Sequence, residues 1–226
     1  MRALTTAEVV SLWDQTKGQR PLRQMLQLLA SVAPERTAEE WSNVPFGAFC
    51  RALFRFRSVM FGPLMSGVVS CPECGTRLEF SFACDDLDIQ TADPSTVRIE
   101  WSDRAVDIRL PTAADLLSSH SAGELLLRCS LGPADTTSAC IEAASARVAE
   151  ADPLAETMLD LTCPSCAFRW QALLDIVSYL SREISHLARR LLGEVHRLAS
   201  TYGWGEQEIL ALSANRRRTY LEMAGA

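Results

Sequence analysis

The sequence has no apolar run of 18 residues, which excludes a conventional membrane-spanning helix. Its first residues, Met1 to Glu8, break into charge before an apolar stretch develops, so a secretory leader is not expected there. Histidine is scarce. His120, His186 and His196 show no HExxH or other paired spacing, and each reads as a helix-surface residue. P-loop, GxSxG and dinucleotide fingerprints are absent, which removes the motif-bearing nucleotide enzymes and serine hydrolases and points to a protein that is not an enzyme. Positive charge is also in deficit. A net charge of −6 argues against a general nucleic-acid binder, because phosphate affinity needs a positive surface. The basic runs Arg189-Arg190 and Arg216-Arg217-Arg218 read as solvated helix faces. Asp85, Asp86 and Asp88 read as a solvated turn after a strand rather than a Mg²⁺ cluster.

What the chain does have is cysteine in a telling pattern. Cys71-Pro72-Glu73-Cys74-Gly75 and Cys163-Pro164-Ser165-Cys166-Ala167 are matching knuckles. Two cysteines separated by two residues can direct both sulfurs to one side of a turn, with backbone N–H groups left to hydrogen-bond the thiolates. Gly after the second Cys permits a left-handed residue, and in the second knuckle Ala167 holds that place. Together the pairs supply Cys71, Cys74, Cys163 and Cys166 for one closed, structural Zn²⁺ per chain, with free buried thiols or a redox pair as the other readings. A simple zinc ribbon separates its pairs by about 15–20 residues. Here 88 residues intervene, so the ribbon is split by an inserted module. Cys50, Cys84, Cys129 and Cys140 lack ligand spacing, and Cys50 and Cys129 read as small core residues. This usage suits a reducing, cytoplasmic setting.

Alternation on either side of each knuckle, as in Arg-Leu-Glu-Phe-Ser-Phe over residues 77–82, reads as a hairpin with the knuckle at its tip. The fold class expected is α+β, mostly helical, with a split four-cysteine zinc ribbon and a long C-terminal amphipathic helix. Residues 1–62 read as helices: one opening at Thr5 or Thr6, one at Pro21, a capping box at Thr37 and Glu40, and a longer one over 46–61. Residues 63–84 and 157–171 form the split ribbon, and 85–156 an inserted hairpin plus helices. That hairpin joins 97–101 to 106–110 through a turn at 102–105. In the C-terminal region 172–226, Leu173, Val177, Leu180, Ile184, Leu187, Leu191, Val195 and Leu198 form one apolar stripe. Its length exceeds what the short helices around it promise to cover, so Leu180, Ile184, Leu187, Leu191 and Trp204 are candidates for binding a partner. The Phe- and Arg-rich 46–61 helix is a second candidate surface.

Residues 51–62, Arg-Ala-Leu-Phe-Arg-Phe-Arg-Ser-Val-Met-Phe-Gly, run into the first knuckle and resemble the baseplate hub assembly proteins of T-even-like contractile-tailed phages and phage-like contractile injection systems. Residues 109–117 and 125–129 are similar to that family's central segment, and residues 201–213 and 216–221 to small proteins encoded beside phage-like tail genes. The resemblance implies a non-enzymatic assembly chaperone or scaffold whose partners are baseplate hub or spike proteins, with self-association left open. The alternative is a zinc-ribbon nucleic-acid-binding or transcription adaptor, against which the acidic balance counts.

Overall fold

The computed structural model describes residues 1–87 and 96–225, so Asp88 lies outside the described residues. Helix α1 (Thr6–Gln15) begins where the Thr5 hydroxyl accepts the Glu8 N–H while the Glu8 carboxylate takes the Thr5 N–H at 2.8 Å. Thr37 and Glu40 repeat that reciprocal cap at α3 (Ala38–Ser42), and Pro21 opens α2 (Pro21–Val32) as a first-turn proline. Helix α4 (Phe46–Phe61) occupies the span its sequence predicts. Next comes an antiparallel hairpin, β1 (Leu64–Ser70) with β2 (Arg77–Ala83), and a 3₁₀ turn over Cys84–Leu87. A second hairpin pairs β3 (Thr96–Trp101) with β4 (Arg104–Arg109). Its turn is Ser102-Asp103 alone, shorter than the four residues expected, because Ser102 adopts a left-handed φ of 51° that lets two residues reverse the chain. Helices α5 (Ala113–Ser118), α6 (Ala122–Cys129) and α7 (Ser138–Ala151) lead to the third hairpin, β5 (Met158–Thr162) with β6 (Arg169–Leu173). The chain closes with α8 (Ile176–Tyr202), α9 (Glu206–Ala211) and α10 (Ala214–Ala224). This is a mixed architecture of helices and small two-stranded sheets. Among the described residues no helix is long and apolar enough to cross a membrane.

Helix α8 is the spine. The expected apolar stripe is present, but it faces the protein's own core: Leu180 and Leu191 are fully buried and Ile184 is 4% exposed. Helices α1, α2, α4, α9 and α10 all pack against α8, which is more cover than the shortness of each one suggests. Leu180, Ile184 and Leu191 are therefore unavailable to a partner in this fold, and Leu187 is half-buried against the same core. Trp204 is likewise engaged internally, stacked on Tyr202 and edge-on to Tyr220, each with ring centroids 4.8 Å away. Leu173 does not belong to the helix. It ends β6 opposite Met158, and its step of four to Val177 crosses the strand-to-helix junction. Phe49, Leu53 and Phe56 of α4 are fully buried in this core, as helical spacing predicts.

The inserted segment builds a second, smaller core of its own. Val97, Ile99, Trp101, Val106 and Ile108 from the hairpin pack with Leu126, Cys129, Cys140 and Ala144 from α6 and α7. It attaches to the larger core at the start of α4. That helix has no side-chain cap from its own sequence, since Pro45 occupies the cap position. The Phe46 N–H donates instead to the Pro111 carbonyl at 2.8 Å, and the Gly47 N–H to the buried Asp152 carboxylate at 2.8 Å. Two of the helix's first four donors, otherwise orphaned, are thus satisfied from the insertion, and the carboxylate favours the positive end of the helix dipole. Glycine at 47 is what admits this contact, because a β-carbon there would stand 1.7 Å from Asp152 Oδ1 and displace the carboxylate.

Candidate metal centre

The first hairpin runs straight into its knuckle, and the knuckle is a compact hydrogen-bonded turn. The Cys71 N–H donates to the Thr76 carbonyl and the Gly75 N–H to the Cys71 carbonyl, each at 2.9 Å. At the tip of the third hairpin the same two bonds recur at the same length, from the Cys163 N–H to Phe168 and from the Ala167 N–H to Cys163. Both turns need a left-handed residue after the second cysteine. Gly75 takes φ 72° there, and Ala167 takes φ 59°, in a region where a β-carbon is penalised.

These two tips meet. Cys71 Sγ lies 3.7 Å from Cys166 Sγ, and Cys74 Sγ lies 3.6 Å from Cys163 Sγ. All four sulfurs fall within 4.8 Å of one another, and all four cysteines are free. A disulfide requires about 2.05 Å, so the contacts are those of converging thiols. Cys71 and Cys163 are buried, while Cys74 and Cys166 face solvent. The sequence-predicted ligands are therefore brought together across the inserted segment, and they could hold a metal ion.

The electrostatics of the cluster are uneven. The hydroxyl of Thr76 lies 3.2 Å from Cys74 Sγ, and with the Thr76 N–H and the neighbouring thiols it draws the Cys74 thiol down to about 6. Cys166 goes the other way. The Phe168 N–H favours its thiolate, but desolvation and hydrogen bonds with the other three sulfurs outweigh this and push it up to about 12. Four thiolates this close cannot all carry charge without a cation between them.

The remaining cysteines sit elsewhere. Cys50, Cys84, Cys129 and Cys140 are all buried, and burial pushes the Cys129 thiol up to about 11. Asp85 and Asp86 are exposed in the 3₁₀ turn. His186 and His196 are exposed on α8, whereas His120 sits in the bend between α5 and α6 rather than on a helix, its N–H donating to Glu124.

The sequence reading missed the buried pairing of two arginines and the role of Thr76. Arg57, buried in α4, donates to the Gly62 and Leu64 carbonyls at 2.7 and 2.5 Å and pairs with Glu183 at 3.1 Å, fixing the start of the first hairpin to α8. Arg216 and Arg218 are exposed as expected of a solvated face, but Arg217 between them is buried, because it turns inward to pair with Glu194 at 2.5 Å and fixes α10 to the same helix. Thr76 tunes the knuckle itself. The arginines carry no local signal, since their partners lie 126 and 23 residues away. For Thr76 the hydroxyl two residues after a ligand cysteine was the available clue.

Comparison of the chain with protein-family models, with curated proteins and with solved structures returned no match.

Proposed function

We propose that this protein is a cytoplasmic, non-enzymatic assembly chaperone or scaffold for the baseplate hub of a contractile phage tail or phage-like injection system, stapled by one structural Zn²⁺. The observation that carries the reading is the four-sulfur cluster standing directly behind the segment 51–62 that resembles the hub assembly family. A tetrahedron with Zn–S bonds of about 2.3 Å has sulfur–sulfur edges of about 3.8 Å. The Cys71–Cys166 and Cys74–Cys163 sulfur pairs, at 3.7 and 3.6 Å, fit it. An all-thiolate donor set favours zinc over magnesium or calcium, which prefer oxygen. Cys71, Cys74, Cys163 and Cys166 would close the coordination sphere and leave no position for substrate, so the ion would supply cohesion. That cohesion would join two hairpins separated by the whole insertion into one split ribbon.

Two measurements test this. Elemental analysis of purified protein should return one zinc per chain, and a preparation without stoichiometric metal sinks the zinc. A tagged protein recovered from cells expressing the complete tail gene cluster should bring down a hub or spike component. Recovery with no tail component sinks the assembly role.

A further inference from the structure

The solvent face of α8 is basic along its length. At about 100° per residue, positions 182, 186, 189, 190, 193, 196 and 197 fall within an arc of about 120°. They are Arg182, His186, Arg189, Arg190, Gly193, His196 and Arg197, and all are exposed. No acid stands among them. The helix's two acids, Glu183 and Glu194, both stand just beyond one edge of the arc, where Glu183 is held by the buried Arg57 and Glu194 by the buried Arg217. Glu194 also lies 3.6 Å from Arg190 at the arc's edge. Over about 22 Å of helix, an acidic protein thus presents a surface of one sign, in which both nearby carboxylates are committed to buried partners.

A groove of about 590 Å³ runs beside this face. Phe61, Tyr179 and Leu187 give it an apolar wall, Arg182, His186 and Arg190 give it a basic rim, and Glu183, neutralised by its pair with Arg57, completes the lining. The cations are arginines, Lys17 being the chain's single lysine, and the planar guanidinium matches a carboxylate in two parallel hydrogen bonds.

We propose that the α8 face and its groove dock an acidic amphipathic helix of a partner protein, carboxylates on the arginines and apolar side chains against Phe61, Tyr179 and Leu187. Nucleic acid fits less well. A net charge of −6 repels a polyanion beyond the patch itself, and an apolar wall matches leucine-like side chains rather than a sugar-phosphate backbone. The inference rests on the assembly-factor reading for the occupant being a protein, and it gives that partner a chemistry.

The probe is a fluorescein-labelled helical peptide of about 20 residues, leucine on one face and glutamate on the other. A lysine version and a duplex DNA of similar length serve as comparisons. Fluorescence anisotropy should show the acidic peptide binding at about 1–100 μM in low salt, weakening as salt rises, with the lysine peptide unbound. The combined variant Arg182→Glu, Arg189→Glu, Arg190→Glu, Arg197→Glu should lose at least about tenfold in affinity with helix content and metal content unchanged. The corresponding Arg→Gln set removes charge without reversing it, and should lose less than the Glu set but still several-fold. Absence of acidic-peptide binding, or undiminished binding by the folded variants, overturns the proposal. Duplex DNA bound more tightly than the peptide at the same salt overturns it in favour of a nucleic-acid surface. In the tail-cluster pull-down, equal capture by wild type and variants also overturns this surface and leaves the assembly role standing. Peptide binding as expected with no tail protein captured retains the surface and removes the assembly role.

Discussion

The turns from Cys71 to Arg77 and from Cys163 to Arg169 share one backbone, yet the first carries Gly75 and Thr76 where the second carries Ala167 and Phe168. What must be kept for convergence of the sulfurs is the pair of cysteines, the proline between them and the left-handed residue. The next side chain is free to differ. In the first knuckle it is a hydroxyl that stabilises a thiolate, and in the second an exposed ring stacked on Trp170 at 6.2 Å. Equivalent geometry therefore coexists with unequal chemistry, and the two tips should differ in reactivity more than in their contribution to stability.

The largest effect expected is on stability. On the proposed zinc site, Cys71→Ser and Cys163→Ser would each remove one buried ligand, so each should lower the melting temperature by about 10 °C, equivalent to about 3 kcal/mol for a chain of this size, and abolish metal retention. Chelator should reproduce that loss in wild type and add little to either variant. A melting temperature unmoved by chelator, or a loss confined to one knuckle, would break the equivalence. Thermal denaturation followed by circular dichroism decides it.

Reactivity comes next. In metal-stripped protein at pH 7, Cys74, drawn down to about 6, is mostly thiolate, whereas Cys166, pushed up to about 12, is not. Of these two solvent-facing thiols, iodoacetamide should label Cys74 first by about tenfold or more, read by peptide mass spectrometry. Thr76→Val should shrink that lead by moving the Cys74 profile to higher pH. Equal labelling would show that Thr76 does not distinguish the knuckles.

A smaller effect belongs to the left-handed position. Ala167→Gly removes a β-carbon penalty of about 1–2 kcal/mol, part of which is offset by the greater freedom of glycine in the unfolded chain. A gain of about 1 kcal/mol, or about 3 °C, is expected. Gly75→Ala should lose a similar amount, and the double exchange should return close to wild type. The smallest effect should come from Phe168→Thr: less than about 0.5 kcal/mol in stability, since the ring is 39% exposed, with faster alkylation of Cys166 if a hydroxyl there acts as Thr76 does.

Much of this site was legible because its determinants are local. Cysteine spacing, the turn proline and alternation on either side named four converging thiols without knowledge of the fold. Helix α4 was legible for the same reason, with Phe49, Leu53 and Phe56 at helical spacing marking its inner face. The meaning of the α8 stripe was not. Periodicity shows that a helix has an apolar face, and only the packing of α1, α2, α4, α9 and α10 shows what covers it. Leu180 and Leu191 were thus placed on the correct face and given the wrong neighbour. The inward roles of Arg57 and Asp152 stayed hidden, and Arg217 was placed on a solvated face, because each acts on a partner distant in sequence. Asp152 before Pro153 signals the end of a helix, while its service to Gly47, 105 residues earlier, carries no sequence signal.

That last contact gives the molecule a built-in clock. The amide hydrogens of Phe46 and Gly47 lie at the foot of α4, but their acceptors, the Pro111 carbonyl and the Asp152 carboxylate, belong to the inserted segment. Their exchange with deuterated water is slow only while the insertion is seated. Amides deeper in α4, such as those of Leu53 and Phe54, are sheltered by the helix itself and by the larger core, and open only with it. A gap between the two sets of exchange rates would measure how often the insertion lifts away while the helical core stays shut. Two backbone protons therefore separate the breathing of one unit from the unfolding of the other.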